Sequence, residues 1–255
     1  MERSSYLFMH EEFLELKQRP YPPPASPWIL TQKWNHLLFM HWKASKDQLN
    51  SRLPPALELD TFNGEAYIAI IPFLVDGMRA RNLPEIPLLG SYIELNVRTY
   101  VRYKGVPGIY FFSLDANHPP SVAGASIFFS LPYRNAAMEI RVDGSFINFR
   151  SSRNHPGKEA FDFYAAYKPV SDIYIPETGS LEHWLFERYC FFTERGKSIY
   201  RGDIHHDMWR VQTADCQIKQ NTLDFSLLDE PLLHYSTPKQ VFFWPLEKAG
   251  DVSER

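Results

Sequence analysis

Glu94, Asn96 and Arg98 stand at alternate positions of the segment Tyr92-Ile-Glu-Leu-Asn-Val-Arg-Thr-Tyr-Val-Arg-Tyr103. Side chains two apart in an extended chain share a face. An acid, an amide and a guanidinium therefore line up in one row, continued by Tyr100 and Arg102. Ile93, Leu95, Val97, Thr99 and Val101 fall on the opposite, apolar face. The row has the parts of a recognition site. Arg98 can hold a carboxylate through a bidentate pair. Glu94, if partly desolvated, would have a raised pKa suited to general acid–base work. The same alternation also suits a half-buried strand whose polar face meets water and carries cross-strand pairs. What lies over the row decides between the two.

Other chemistry-bearing residues are less well placed. His205 and His206 are adjacent, so on a strand they point to opposite faces and do not chelate one metal together; His36 and His41, five apart, are also out of phase. A metal site needs three or four converging ligands, and neither H-x-x-x-H nor H-E-x-x-H occurs. No metal is expected. There is no G-x-S-x-G nucleophile turn. Gly105 and Gly108 flank Pro107 in a hairpin and open no helix, so no dinucleotide or other cofactor is expected. The aromatic strands at Phe111-Phe112, Phe128-Phe129 and Phe242-Phe243 lack interleaved basic residues and read as core.

The elements that would position the row are mostly strands. Residues 92–103 and 109–115 form a hairpin joined by Lys104-Gly-Val-Pro-Gly108. Residues 1–18 suit a short helix, followed by a strap with Pro20, Pro22, Pro23, Pro24 and Pro27 that cannot continue it. Residues 28–42 are strand-like. Ser45-Lys-Asp-Gln48 is a capping box for a short helix ending before Pro54. Residues 66–71 form an apolar strand that Pro72 ends or bulges, and residues 76–90 form a long loop bearing Arg79 and Arg81. Asp143-Gly144 marks a hairpin. Residues 160–167 put Phe161, Phe163, Ala165 and Tyr167 on one face, and Ser180 can cap a turn with Leu181, Trp184 and Leu185. Further hairpins are expected around Glu194-Arg-Gly-Lys197, and between residues 210–213 and 217–225. Strand signals every ~8–12 residues favour an antiparallel, mainly β protein with a few helices.

Composition sets the outer limits. The chain has 255 residues, 44% hydrophobic and 15% aromatic, with 20 prolines and a formal net charge of −3. That is enough for a substantial core in one large domain or two smaller ones. No basic block points to nucleic acid, and no apolar run reaches the ~18 residues of a membrane span. The N-terminal residues carry Glu2, Glu11, Glu12 and Glu15 and no apolar h-region, unlike a secretory signal. Two cysteines, Cys190 and Cys216, are too few for a disulfide scaffold, which favours a cytoplasmic protein.

Several motifs occur in a familiar order: His41-Trp42, Leu53-Pro-Pro-Ala-Leu-Glu-Leu-Asp60, Glu94-Leu-Asn-Val-Arg-Thr-Tyr-Val101, Gly108-Ile-Tyr-Phe-Phe-Ser-Leu-Asp-Ala116, Leu131-Pro-Tyr133, Leu181-Glu-His-Trp-Leu-Phe-Glu-Arg-Tyr189 and His206-Asp-Met-Trp209. Together they resemble the YqjF-like proteins, a bacterial family of uncharacterised function in the acetoacetate decarboxylase-like superfamily. The resemblance spans residues 34–244. It implies a single domain over 1–255, with 1–27 as helix and strap, built as an antiparallel β-barrel or cone around a polar cavity. Acetoacetate decarboxylase works through a Schiff-base lysine and a second lysine beside it, in a Gly-x-Pro-Lys-Lys pattern. The matching segment here is Ser130-Leu-Pro-Tyr-Arg134, so Tyr133 and Arg134 replace the lysines, and neither can form an imine. Glu94 matches the cavity glutamate. Ser126 stands where members of the family often carry an arginine.

The resemblance thus implies a cavity and argues against the imine route. The expected function is binding of a small anionic or carbonyl compound. Arg98 would hold the anion, Asn96 would line the site, Tyr133 would donate to a carbonyl oxygen and Glu94 would orient or protonate. The alternatives are an enzyme using Glu94 and Tyr133 as a proton-transfer pair, and a structural or interaction protein with a filled interior.

Overall fold

The computed structural model describes residues 16–85, 91–119 and 130–253. The expected N-terminal helix lies outside these residues except for 16–18, which form a turn closed by Arg19 N–H on the Leu16 carbonyl; Ser126 and most of the segment around it also lie outside. In chain order the elements are β1 (Leu30–Asn35), β2 (Leu38–Ala44), α1 (Lys46–Arg52), β3 (Glu58–Leu59), β4 (Tyr67–Ala80), β5 (Ser91–Tyr103), β6 (Val106–Ala116), β7 (Tyr133–Asp143), β8 (Phe146–Arg153), β9 (Asp162–Pro169), α2 (Leu181–Phe186), β10 (Cys190–Arg195), β11 (Ser198–His205), β12 (Val211–Asn221), β13 (Leu227–Ser236), β14 (Lys239–Phe243) and β15 (Glu247–Asp251). The protein is mainly β, as expected.

Strands β4, β5 and β6 form a wall shared by two closed circuits of pairing. One runs β1–β14–β11–β10–β6–β5–β4 and back to β1. The other runs β2–β4–β5–β6–β7–β8–β9–β12–β13 and back to β2. The result is a ring-like sheet. Most pairs are antiparallel; β10–β6 and β6–β7 are parallel. Closing the circuits leaves few unpaired strand edges. The wall separates two cores. Phe39, Ala69, Ile71, Phe73, Tyr92, Tyr100, Phe111 and Tyr133 pack on one side. Met40, Ile68, Ile70, Ile93, Leu95, Val97, Phe149 and Phe163 pack on the other. The face of β5 expected to be apolar is therefore buried against the second core.

Three local expectations are corrected. Pro72 neither ends nor bulges the strand, which runs on to Ala80 with Pro72 opposite Leu95. The pairing of β4 with β2 stops at Ile70, and its pairing with β1 begins at Leu74. Pro72 sits in that gap, where its missing N–H removes no ladder bond. The expected loop over 76–90 accordingly starts only after Ala80. Second, the β5–β6 connection is Lys104-Gly105 alone, with φ of 48° and 79°. Two consecutive positive φ values define the two-residue hairpin turn whose twist matches the strands. Val106 to Gly108 already belong to β6. Third, residues 210–213 and 217–225 do not pair with each other: residues 211–221 are one continuous strand, paired first with β13 and then with β9.

Other signals are realised as read. Ser45 Oγ accepts from the backbone N–H of Gln48 at 3.4 Å at the start of α1, although the Gln48 side chain accepts from the Ser226 N–H rather than closing the box. Ser180 caps α2, and Asp143 ends β7 before a turn with Gly144 at φ 59°. Gly202 faces Phe191 across β10 and β11, and an added Cβ would come within 2.1 Å of the Phe191 ring. Gly202→Ala is expected to lower stability by about 1–2 kcal/mol through forced displacement of that ring. An unchanged urea midpoint would show that the ring moves freely.

Candidate functional site

The polar row of β5 does not face water. Glu94, Asn96 and Arg98 expose only 4%, 6% and 7% of their surface, and they lie on the side of the wall that carries the first core. The strand register explains their placement. Glu94 is opposite Phe73 on β4 and Ala116 on β6, Asn96 is opposite Ile71 and Leu114, and Arg98 is opposite Ala69 and Phe111. Arg102, at the strand end, leaves the row and pairs with Asp60 at 2.9 Å near the surface.

At one end of the row Tyr133 Oη donates to Glu94 Oε2 at 3.1 Å. Tyr133 begins β7, and the parallel pairing of β7 with β6 sets it opposite Leu114. Tyr92, two residues before Glu94, completes the cluster and accepts from Gln32 Nε2 at 3.1 Å. Burial raises the Glu94 pKa to about 7, and hydrogen bonds from Asn96, Tyr133 and Tyr92 hold it from rising further. Burial also pushes both tyrosines well above their ordinary value. This end thus holds a carboxyl near half-protonation at neutral pH beside two phenols that stay protonated.

At the other end Arg98 is fully enclosed. Its guanidinium lies 5.7 Å from the centre of the Phe39 ring. Burial lowers its pKa, while the neighbouring Tyr100 hydroxyl favours the charged form. Among the described residues no carboxylate forms an ion pair with Arg98, and its Nε has no hydrogen-bond partner. Asn96 Oδ1 is likewise buried without a partner. Buried charges are normally paired, and an orphaned buried polar group costs about 1–3 kcal/mol. The chain bears this cost twice on neighbouring residues of one row.

Two histidines that the sequence did not single out for this row stand close to it. His41 on β2 is opposite Ala69, which is itself opposite Arg98. Its Nε2 is 2.7 Å from Tyr100 Oη, and its Nδ1 has no partner. His234 on β13, opposite Phe39, pairs through Nε2 with Glu182 Oε1 at 3.0 Å, and its Nδ1 is also orphaned. Burial, with Arg98 and His234 nearby, holds His41 well below its ordinary pKa, so it is neutral. Helix α2 closes this end: Phe186 stacks on Phe39 at 4.7 Å and Trp184 lies 4.7 Å from Tyr100.

The lysines are elsewhere. Lys104 is exposed in the β5–β6 turn, ten residues along the strand from Glu94 and hence about 33 Å away at the usual strand rise. Among the described residues Lys239 is the only buried lysine, and its ammonium is bound by Asp207 Oδ1 and the Met208 carbonyl, each at 2.8 Å. Arg134 turns away from the row: its Nη1 donates to the Tyr133 carbonyl at 2.9 Å, and it sits near Asp115 and Arg153. The adjacent His205 and His206 are buried, both stacked on Tyr189, with His206 also against Trp209.

The geometry agrees with solved structures of one fold. An acetoacetate decarboxylase from Legionella pneumophila superposes with a TM-score of 0.60 at 14% identity, covering 95% of this chain and 96% of that one. The enduracididine biosynthesis enzyme MppR, seen with pyruvate, gives 0.60 at 11%, covering 92% and 93%. An acetoacetate decarboxylase-like enzyme from Sphingomonas wittichii gives 0.60 at 11%, covering 91% and 98%. At these identities the likeness concerns the fold. In sequence, the uncharacterized protein YqjF of Bacillus subtilis is 44% identical over 237 residues, 91% of this chain and 97% of that protein. Residues 31–243 match the family model DUF2071, described as uncharacterized conserved protein (COG2071). With most of its length covered by both, the chain belongs to the DUF2071 family, on an acetoacetate decarboxylase-like fold.

Proposed function

We propose that the enclosed face of β5 binds a small carboxylate inside a cytoplasmic protein. Arg98 holds the carboxylate, Asn96 lines the site, and the Glu94–Tyr133 pair meets an oxygen further along the ligand. The observation that carries this reading is the buried Arg98 guanidinium with no anionic partner among the described residues. A bound carboxylate would supply the missing charge and accept from the orphaned Nε. Tyr133 already gives its hydrogen to Glu94. Donation to a ligand carbonyl or hydroxyl oxygen therefore falls to the pair when Glu94 is protonated. Relatives in fold support the size of the ligand, since acetoacetate and pyruvate are short carboxylates. Both cysteines are free, which suits a reducing compartment.

A second reading rests on Glu94 itself. A carboxyl held near pKa 7 beside a tyrosine can exchange a proton at neutral pH. The protein would then be an enzyme acting on a small carbonyl compound. The lysine arrangement supports neither reading through an imine, because the buried Lys239 ammonium is already satisfied.

The test is a thermal-shift screen of wild type and Arg98→Ala against short carboxylates, keto acids, lactones and aldehydes. At 100 times its dissociation constant a ligand adds about 2.7 kcal/mol, which is roughly 5 °C for a chain of this size. Carboxylates should shift wild type and leave Arg98→Ala unmoved. An equal shift in both proteins would remove Arg98 from the site. Turnover with a bell-shaped pH profile, lost in Glu94→Gln and Tyr133→Phe, would establish the enzyme.

A further inference from the structure

The orphaned atoms around Arg98 are of two kinds. Arg98 lies beside Tyr100, and its positive charge disfavours the hydroxyl hydrogen on that side. The Tyr100 hydrogen is then directed to its other neighbour, His41 Nε2, at 2.7 Å. A neutral imidazole that accepts at Nε2 carries its hydrogen on Nδ1. The partnerless His41 Nδ1 is therefore a donor, as is the partnerless Arg98 Nε. Asn96 gives the opposite case. Its amide hydrogens favour the charged Glu94 carboxyl, which turns the amide nitrogen towards Glu94 and leaves Oδ1 as an acceptor with nothing to accept.

The register brings these atoms together. His41, Ala69 and Arg98 lie in one line across β2, β4 and β5. Directly opposed residues share a face, so His41 and Arg98 flank a single methyl group, with their Cα atoms about 10 Å apart at ordinary strand spacing. Asn96 is the next residue of the same face. Phe39 and Phe186 cover the group with apolar surface, which supplies no hydrogen-bond partner.

Arg98 Nε, His41 Nδ1 and Asn96 Oδ1, two donors beside one acceptor, match a carboxylate with a hydrogen-bearing group on a nearby carbon; the orphaned His234 Nδ1 lies on β13 opposite Phe39, on the far side of this group. We infer that the site selects short hydroxycarboxylates over the corresponding keto acids, with Arg98 Nε and His41 Nδ1 each donating to a carboxylate oxygen and Asn96 Oδ1 accepting from the ligand hydroxyl. His41 is thus a further binding residue, and Asn96 determines specificity. A keto acid places a carbonyl oxygen against Asn96 Oδ1, acceptor against acceptor. A site built to accept from a hydroxyl discriminates strongly against an analogue without one. This inference rests on the carboxylate reading above and narrows it to one ligand class.

Isothermal titration with lactate, pyruvate, 3-hydroxybutyrate and acetoacetate tests it, using wild type, Arg98→Ala, His41→Gln, His41→Asn and Asn96→Leu. The glutamine amide reaches the Nε2 position and keeps the Tyr100 contact without the Nδ1 donor. The asparagine amide keeps a donor near the Nδ1 position. Each hydroxy acid is expected to bind wild type about tenfold or more tightly than its keto partner, the value of one hydrogen bond. His41→Gln should weaken all four about tenfold, and His41→Asn should weaken them much less. Asn96→Leu should remove the preference while leaving the keto acids bound. Unliganded melting curves confirm that each variant folds. Binding lost only in Arg98→Ala, with no hydroxy preference, would overturn this inference and leave the carboxylate reading intact. No binding of any of the four acids to wild type would overturn both.

Discussion

Arg98→Met is expected to stabilise the ligand-free protein while abolishing carboxylate binding. Arg98 is a desolvated cation without an ion-pair partner among the described residues, held by the Tyr100 hydroxyl and the face of Phe39. A cation–π contact is worth about 0.5–2 kcal/mol. Taking an ionised group out of water costs several kcal/mol even after relaxation. The cost exceeds the gain unless an anion completes the site. Methionine has nearly the right length, fills irregular apolar space and suits the surroundings of Phe39, Ala69 and Phe111. Urea unfolding in a dilute buffer free of carboxylate and phosphate should show Arg98→Met more stable by roughly 1–3 kcal/mol. Adding a bound carboxylate should reverse the order, because only wild type gains from it. A destabilised variant in the absence of anions would mean that the fold itself already satisfies Arg98, and the argument for a ligand would fail. The opposition of stability and binding at one residue is what a functional site produces and a structural one does not.

How much of this was legible beforehand depended on how local each signal was. The row Glu94–Asn96–Arg98 is a period-two pattern within one strand, so its common face was readable. Its surroundings were not, since alternation looks the same under water or under a second core layer. Tyr133 entered only through resemblance, because a parallel pairing between β6 and β7 joins it to Glu94 across 39 residues. His41 lies in an aromatic stretch with no special spacing, and its relation to Arg98 exists only through the registers of β2, β4 and β5. Pro72 misled for a related reason. Whether a strand tolerates proline depends on which neighbour leaves a gap at that residue, and the gap between β1 and β2 comes from a break at His36, where φ is 52°. The turns at Lys104-Gly105 and Asp143-Gly144, and the caps at Ser45 and Ser180, were readable because a few adjacent residues determine them.

Glu94 predicts the second large effect, and its sign follows from the direction of the shift. The carboxyl is raised from 4.5 to about 7 by burial, so the folded chain holds this proton more tightly than the unfolded chain does. Below about 4.5 both states are protonated and Glu94 adds no penalty. Between about 4.5 and 7 stability falls as pH rises, and above about 7 the whole penalty of a buried carboxylate is present. A displacement of this size corresponds to about 3 kcal/mol. Glu94→Gln cannot ionise, yet its amide oxygen still accepts from Tyr133. The variant should be more stable than wild type by about 3 kcal/mol at pH 8 and within about 1 kcal/mol of it at pH 4. The difference should open across the interval in which Glu94 titrates. Urea midpoints for both proteins at one-unit steps between pH 4 and pH 8 measure this directly. A constant offset at every pH would show that Glu94 keeps one protonation state throughout, and would remove it as a donor or acceptor of protons near neutrality. A difference that grows with pH would show that the fold sustains a carboxyl poised to give up its proton at the pH where a ligand oxygen would need it.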